Sequence, residues 1–436
     1  MATQPSAFSR GRNYLRQLIW RLRYDQRGTG VIGFGLALPA IVGAAGIGVE
    51  VGFWYMQKRD LQVAADASAV AGAFELARSN ESEVGTAATA QAAKNGVTAG
   101  SGTTISVVPS TSGLTGSVTV QVTKQLPRMF SAIFAEGLVS IAARATASVE
   151  ITGDACALAL DETASQALLI QGSSTVEMPT CTLAANSRHA TAVSISGSAS
   201  LAADSLWSAG GIETGGSANL TLPGGKLDHM WTVADPYAAL TIPAFGACDF
   251  HNKNYSNTTT TIGPAVYCGG VAFGANSNVT LEPGTYYVVN GDLTMNAQSV
   301  VRCNCSGEQG ITFVLTTNAA ASQIGRVVIN GGADVQLTAP SDPNDPFVGV
   351  LIYQDRRATS TAVNKLNGGS TMTLTGAIYT PAQASEWSGN NGSASSNCTR
   401  IIAKTVSFIG NSELNNSGCE AMGVKPIEVT RVRVTA

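Results

Sequence analysis

Residues 31–49 (VIGFGLALPAIVGAAGIGV) run for nineteen positions without a charge, and apolar character resumes at Phe53, Trp54 and Tyr55. A helix rising about 1.5 Å per residue crosses a ~30 Å hydrocarbon layer in ~20 residues, so the pattern predicts a membrane-spanning helix over 28–56. From 58 to 94 polar residues return at helical spacing. Leu61, Ala64, Ala65, Ala69, Gly72, Ala73 and Leu76 share one stripe, which predicts a long alanine-rich helix packed closely on a sheet or a second helix. Beyond residue 97 the period shortens to two. Segments 105–108 and 118–122 (VTVQV) read as strands, 127–134 as a short helix and 138–149 as a further strand or strand pair.

From about residue 152 a short Gly/Asn/Ser turn followed by an apolar residue recurs. Its instances end at Val176, Leu201, Leu220, Val279, Val300, Val335, Met372 and Leu414. The shorter intervals fit one coil of a parallel β-helix, the longer ones a coil with an inserted loop or two coils. Between the turns lie short β-branched runs, among them 285–289, 311–315, 327–329, 348–353 and 401–406. The expected fold class is therefore mainly β, with a β-solenoid over 152–436, and the α+β region 57–151 links it to the helix. An antiparallel β-sandwich is the alternative. Tight two-residue hairpin signals are few, which favours the solenoid. Its ends need covering, and the α+β region and 424–434 are the candidates.

The flanks of the span give it a direction. Residues 1–27 hold six arginines, Arg10, Arg12, Arg16, Arg21, Arg23 and Arg27, against Asp25 alone. The cationic side stays cytoplasmic, so 57–436 is expected to be exported from a single-pass anchor. Trp20 and Tyr24 on one side and Phe53, Trp54 and Tyr55 on the other suit the two interfaces. The competing reading is a cleaved secretory signal, whose apolar core is shorter and whose following sequence loses the helical pattern. Within the span Gly48 and Gly52 form a GxxxG that lets another helix approach, and Pro39 is expected to kink the helix. Glu50, near the exit, either reaches interfacial water or pairs with a partner's cation.

Composition narrows the function. Net charge is −3, so with +5 in the basic tail the rest carries −8, which argues against nucleic acid as a partner. All eight cysteines lie in the exported part, as in an oxidising compartment. Proximity pairs Cys156 with Cys181, Cys248 with Cys268 and Cys398 with Cys419, and leaves Cys303 and Cys305, where a one-residue loop strains a disulfide. A zinc site is the rival, but the spacing is not CxxC and His189, His229 and His251 stand alone. Parallel β-helices host polysaccharide-cleaving enzymes, which need clustered carboxylates. Here Asp204, Asp228, Asp235, Asp249, Asp292, Asp334 and Asp355 are scattered, and the Asp342-Pro-Asn-Asp345-Pro group reads as a turn. No catalytic residue, metal or cofactor is expected.

Three stretches carry a resemblance: Gly28-Thr-Gly-Val-Ile-Gly-Phe-Gly-Leu-Ala-Leu-Pro39, Glu50-Val-Gly-Phe-Trp-Tyr-Met-Gln-Lys-Arg-Asp-Leu-Gln62, and Ala64-Ala-Asp-Ala-Ser-Ala-Val-Ala-Gly-Ala73. Together they resemble the N-terminal segment of TadE/TadG-like proteins of the bacterial Tad (tight adherence, Flp pilus) assembly system. The resemblance implies an envelope component of a pilus machine with no activity of its own, whose partners are other pilin-like envelope proteins. Two departures qualify it. Gly33 stands where processed members carry an acid read by a prepilin peptidase, which implies an intact anchor. Longer relatives carry a von Willebrand A domain with an Asp-x-Ser-x-Ser site; Asp161-Glu-Thr163-Ala-Ser165 is the nearest match, in a chain that stays β-rich afterwards.

Two classes of function follow. One is structural, a disulfide-stapled, membrane-anchored protein that helps assemble a pilus. The other is recognition, an adhesin or glycan-binding module, for which Trp207, Trp231, Tyr255, Tyr267, Tyr286, Tyr287, Tyr353, Tyr379 and Trp387 supply possible platforms. Burial of most of these aromatics weakens the second.

Overall fold

The computed structural model describes residues 29–78, 80–112, 115–368, 372–392 and 398–435. The basic tail, Trp20 and Tyr24 lie outside the described residues, as does most of the turn that leads into Met372. Two compact units emerge, 1–150 with 432–436 and 151–431.

In the first unit α1 (Thr29–Ala77) is a single helix that passes through Pro39. It does not continue to residue 94. Arg78 and Asn80 both bond Glu75, and after a turn α2 (Val84–Lys94) packs back on α1 through Val84, Ala88 and Ala92. The sheet is antiparallel: β1 (Thr103–Ser112) pairs β2 (Thr115–Pro127), which pairs the start of β3 (Leu138–Ala159). Strict alternation buries Val118, Val120 and Val122 against Leu61, Ala64, Ala65, Ala69 and Ala73. Alanine and glycine on this helix face allow close approach, and a Cβ on Gly72 would stand 2.9 Å from the Val118 side chain. The expected short helix over 127–134 is instead a 3-10 turn, Ser131–Ile133, between two strands.

The second unit is β throughout, and strands make up 42% of the chain. Its described ladders are parallel, which overturns the antiparallel sandwich. Successive strands fall into three rows. In one row the pairing order is Gly225–Leu227, Ser205–Ser208, Thr182–Ala185, the end of β3, Thr399–Ala403, Thr373–Thr380, Val350–Gln354, Ile311–Thr316, Gly284–Val289, Val266–Phe273 and Phe250–Tyr255. Pairing order is thus not chain order: Ile402, near the chain's end, is the register partner of Leu158.

This order requires a return segment, and residues 228–249 provide it. The Trp207 indole donates to the Trp231 carbonyl at 2.9 Å, and Asn186 exchanges two bonds with the Val233 backbone. Farther along, the Tyr353 hydroxyl donates to the Leu240 carbonyl at 3.0 Å, Phe245 stacks on Tyr287, and Cys248 is disulfide-bonded to Cys268. The segment therefore meets the row's members in order and ends beside the strand from which the pairing resumes. The remaining disulfides join Cys156 to Cys181, Cys398 to Cys419 and Cys303 to Cys305.

The recurring turns have a physical basis. Gly172, Gly197 and Gly216 all have positive φ, and the Ser198 and Ser217 amides donate to the Gly172 and Gly197 carbonyls at 2.8 Å. A Cβ at Gly197 would stand 2.5 Å from the Gly172 oxygen, so side chains are excluded where the turns stack. The apolar residues after them, Val176, Leu201 and Leu220, are register partners in one column. Elsewhere the sequence pattern slips. Val301, not Val300, stands in the column with Val279 and Val335, and Ser412, not Leu414, is opposite Val176.

Candidate functional site

The N-terminal half of α1 has few partners among the described residues. Val31, Ile32, Leu36 and Val42 are exposed, and Gly30–Ala77 is long and apolar enough to cross a membrane by length and composition. Apolar surface left in water forgoes about 25 cal/mol per Å², so so large a face implies a nonaqueous or protein neighbour. Gly48 and Gly52 lie on this open surface, with no described atom within 4 Å of where a Cβ would be.

Glu50 is different. It is fully buried, and its hydrogen-bond partners among the described residues are two backbone amides and a hydroxyl. Oε1 accepts from the Met129 amide at 2.7 Å and from the Ser131 hydroxyl at 3.0 Å, and Oε2 accepts from the Ser131 amide at 2.6 Å. These are amides that the 3-10 turn leaves without internal acceptors, and bonds to a carboxylate are stronger than neutral ones. One carboxylate therefore holds the loop from Arg128 to Gly137 against the helix. Beside it the Phe130 ring covers Gly46, where a Cβ would stand 2.5 Å from the ring. Farther out, Lys124 donates to Gln57 at 2.9 Å and Gln62 to the Arg144 carbonyl at 3.0 Å, so polar contacts resume beyond the loop.

Helical and strand periodicity pointed to Glu50 but not to its partners, because the bonds join residues about eighty positions apart. The available signal was an unpaired acid at the edge of an apolar run together with a phenylalanine-rich loop, MFSAIF, between two strands.

In the second unit the chemistry-bearing residues are engaged structurally. Trp207, Trp231, Tyr255, Tyr267, Tyr286, Tyr353, Tyr379 and Trp387 are buried, and Tyr287 is half-buried under Phe245. They are core and strut rather than platform, which removes the aromatic support for glycan binding. Around the return segment Asp235 accepts from the Tyr379 hydroxyl at 2.8 Å, and Arg356 donates to both that hydroxyl and the Tyr237 carbonyl. Burial pushes the Tyr237 hydroxyl up to about 12, the Lys425 amide bond offsetting only part of that, and burial with the Asp235 charge raises Tyr379 as well. Both phenols stay neutral and act as hydrogen-bonding links.

Several of the scattered acids are likewise committed. Asp334 pairs with Arg302, Asp292 with Arg326 at 3.5 Å and Asp355 with Arg357 at 2.6 Å. Asp342 and Asp345 each accept an amide two residues ahead, as proline-bounded turns do. Asp161 bonds Thr163 and Ala164 in its own turn, with Lys404 at 3.9 Å. Among the described residues no group of three or more His, Cys, Asp or Glu is placed to hold a metal ion.

A family model described as Flp pilus-assembly TadE/G-like matches residues 28–78, which cover α1 and Glu50. No curated protein and no solved structure matches the chain.

Proposed function

We propose that this chain is a membrane-anchored, noncatalytic component of a Tad/Flp-type pilus assembly system. In this reading α1 spans the bacterial inner membrane once, residues 1–27 stay in the cytoplasm, and the rest is exported. The observation that carries it is the coincidence of the TadE/G-like segment with a helix whose apolar half is exposed. Gly48 and Gly52 mark the strip on which a neighbouring pilin-like helix docks, and their open surroundings support that role. Residues 151–431 wind as a solenoid with the three rows as its faces, a reading supported by parallel pairing and stacked glycine turns. Such a body presents long lateral faces to other envelope proteins.

Deleting the gene and counting surface pili tests the reading. Piliation should fall and return with the full chain, while the same chain should stay in the membrane fraction after carbonate extraction. Unchanged piliation and attachment in the deletion strain would overturn the pilus role. Release by carbonate would overturn the anchor.

A further inference from the structure

We infer that residues 128–138 form a second lipid-contacting element, which Glu50 holds at the mouth of the span. The inference rests on the membrane-anchor reading and adds a surface to it. Its starting point is depth. Phe130 covers Gly46, which lies three residues inside the uncharged run, about 5 Å along a helix axis. If 31–49 lies in hydrocarbon, the ring above Gly46 lies at the edge of the same layer.

The loop's other side chains point away from the protein. Ile133 is 82% exposed, Phe134 76% and Leu138 61%, and Met129 is about half exposed. In water such a cluster is unfavourable, and a loop needs no such residues merely to join two strands. The occupant that fits is the bilayer the helix already crosses, because the loop rests on α1 at Gly46 and Glu50, and Ile47 and Val49, the helix residues next to those positions, are exposed and apolar. Loop charges suit the same placement: Arg128 is drawn back toward the Ser131 hydroxyl at 3.3 Å, and Glu136 is exposed.

Glu50 makes this arrangement possible. A loop entering an interface must have its amide donors satisfied, since water is scarce there. Glu50 satisfies two of them, and the loop in turn supplies the carboxylate with donors that lipid lacks. The acid is thus a positioning residue, and the loop with the helix makes a two-point footing.

The test uses the full chain in phosphatidylcholine vesicles. Its eight cysteines are all in disulfides, so a single introduced thiol can be labelled with an environment-sensitive fluorophore. Phe134→Cys reports the loop, Val42→Cys the span and Thr260→Cys a partly exposed strand site in the β unit. With lipids carrying the doxyl group at a shallow or a deep acyl position, 134 should be quenched by the shallow label and 42 by the deep one, both well above 260, as their different depths in a ~30 Å hydrocarbon layer require. Quenching at 42 without quenching or blue shift at 134 would overturn the inference and leave the anchor standing. A blue shift at 134 without quenching would also overturn it, because protein, such as a second copy, then covers the loop. No quenching at 42 would remove the anchor reading itself. Adding Glu50→Ala should cut quenching at 134 by about half while sparing 42, as expected when the donors lose their acceptor. Equal quenching with and without Glu50 would remove its positioning role.

Discussion

The two units of this chain treat large apolar side chains in opposite ways. In 151–431 the aromatic residues are driven inside, and the exposed large hydrophobics among the described residues are Ile151, Phe250 and Ile409. In the first unit Ile32, Phe34, Leu36, Ile133, Phe134 and others remain outside, while its core is built from alanine and valine. Burial of apolar area drives folding in both cases. The difference shows that one unit completes its burial within the chain and the other leaves a face for a different surrounding.

The sharpest way to break that comparison is to truncate one aromatic in each unit. Trp387 is completely buried, and Trp387→Ala should lower unfolding stability by ~3–5 kcal/mol through lost contacts and a cavity. Phe134→Ala should cost under ~0.5 kcal/mol in detergent, because the ring touches little of its own chain. Urea titration of the full chain, followed by circular dichroism, measures both. Similar losses would mean the loop is part of a core. Trp387→Phe sharpens the point, since the indole N–H has no acceptor among the described residues and its removal should cost less than the alanine change.

A Gly→Ala pair makes a smaller and sign-changing contrast. Gly197 has φ 78° and abuts the Gly172 carbonyl, so Gly197→Ala should destabilise by ~1–3 kcal/mol. At Gly48 the backbone is helical and the surroundings open, so Gly48→Ala should stabilise the isolated chain by ~0.5–1 kcal/mol. Thermal melts of the two variants check the signs. If Gly48→Ala also impairs piliation in cells, the position serves a neighbour rather than the fold.

The same contrast explains what could be read from the sequence. The apolar run, the small-residue stripe and the VTVQV alternation are local patterns, and α1 and the first sheet follow them. The repeats at Val176, Leu201 and Leu220 were legible because stacked turns need glycine at one place and an apolar residue four positions on. At Val300 the apolar residue falls one position before the column and at Leu414 two positions after it, so there the pattern loses phase. Long-range geometry left no local trace: neither the return of 228–249 along the row nor the Glu50 bonds to Met129 and Ser131 produces a period. The break at Arg78 was missed for a related reason, since alanine-rich sequence resumes helical character on both sides of it.

Acid provides the mildest test, and here two carboxylates of the same unit should pull in opposite directions. Burial alone would raise Asp355, but bonds from Arg357 at 2.6 Å and the Thr316 hydroxyl at 2.8 Å outweigh it and hold the carboxyl below its ordinary range. A folded pKa below the unfolded value of about 3.9 contributes stability above that pH and loses it as pH falls through the folded value. Asp154 is the reverse: burial raises its pKa despite the charge of Arg400, so the folded state takes up a proton more readily than the unfolded chain. Protonation there adds stability as pH falls through the raised value. Urea midpoints of the full chain between about pH 6 and 2.5 should therefore flatten in Asp355→Asn, which removes a loss, and steepen in Asp154→Asn, which removes a gain. Both substitutions should also lower stability at neutral pH, because each leaves an arginine short of its carboxylate; Asp154→Asn should do so more, since the Arg400 side chain is only 3% exposed. Parallel slopes in the two variants would mean that these carboxylates share one environment, and the distinction between a carboxylate governed by its hydrogen bonds and one governed by desolvation would fail.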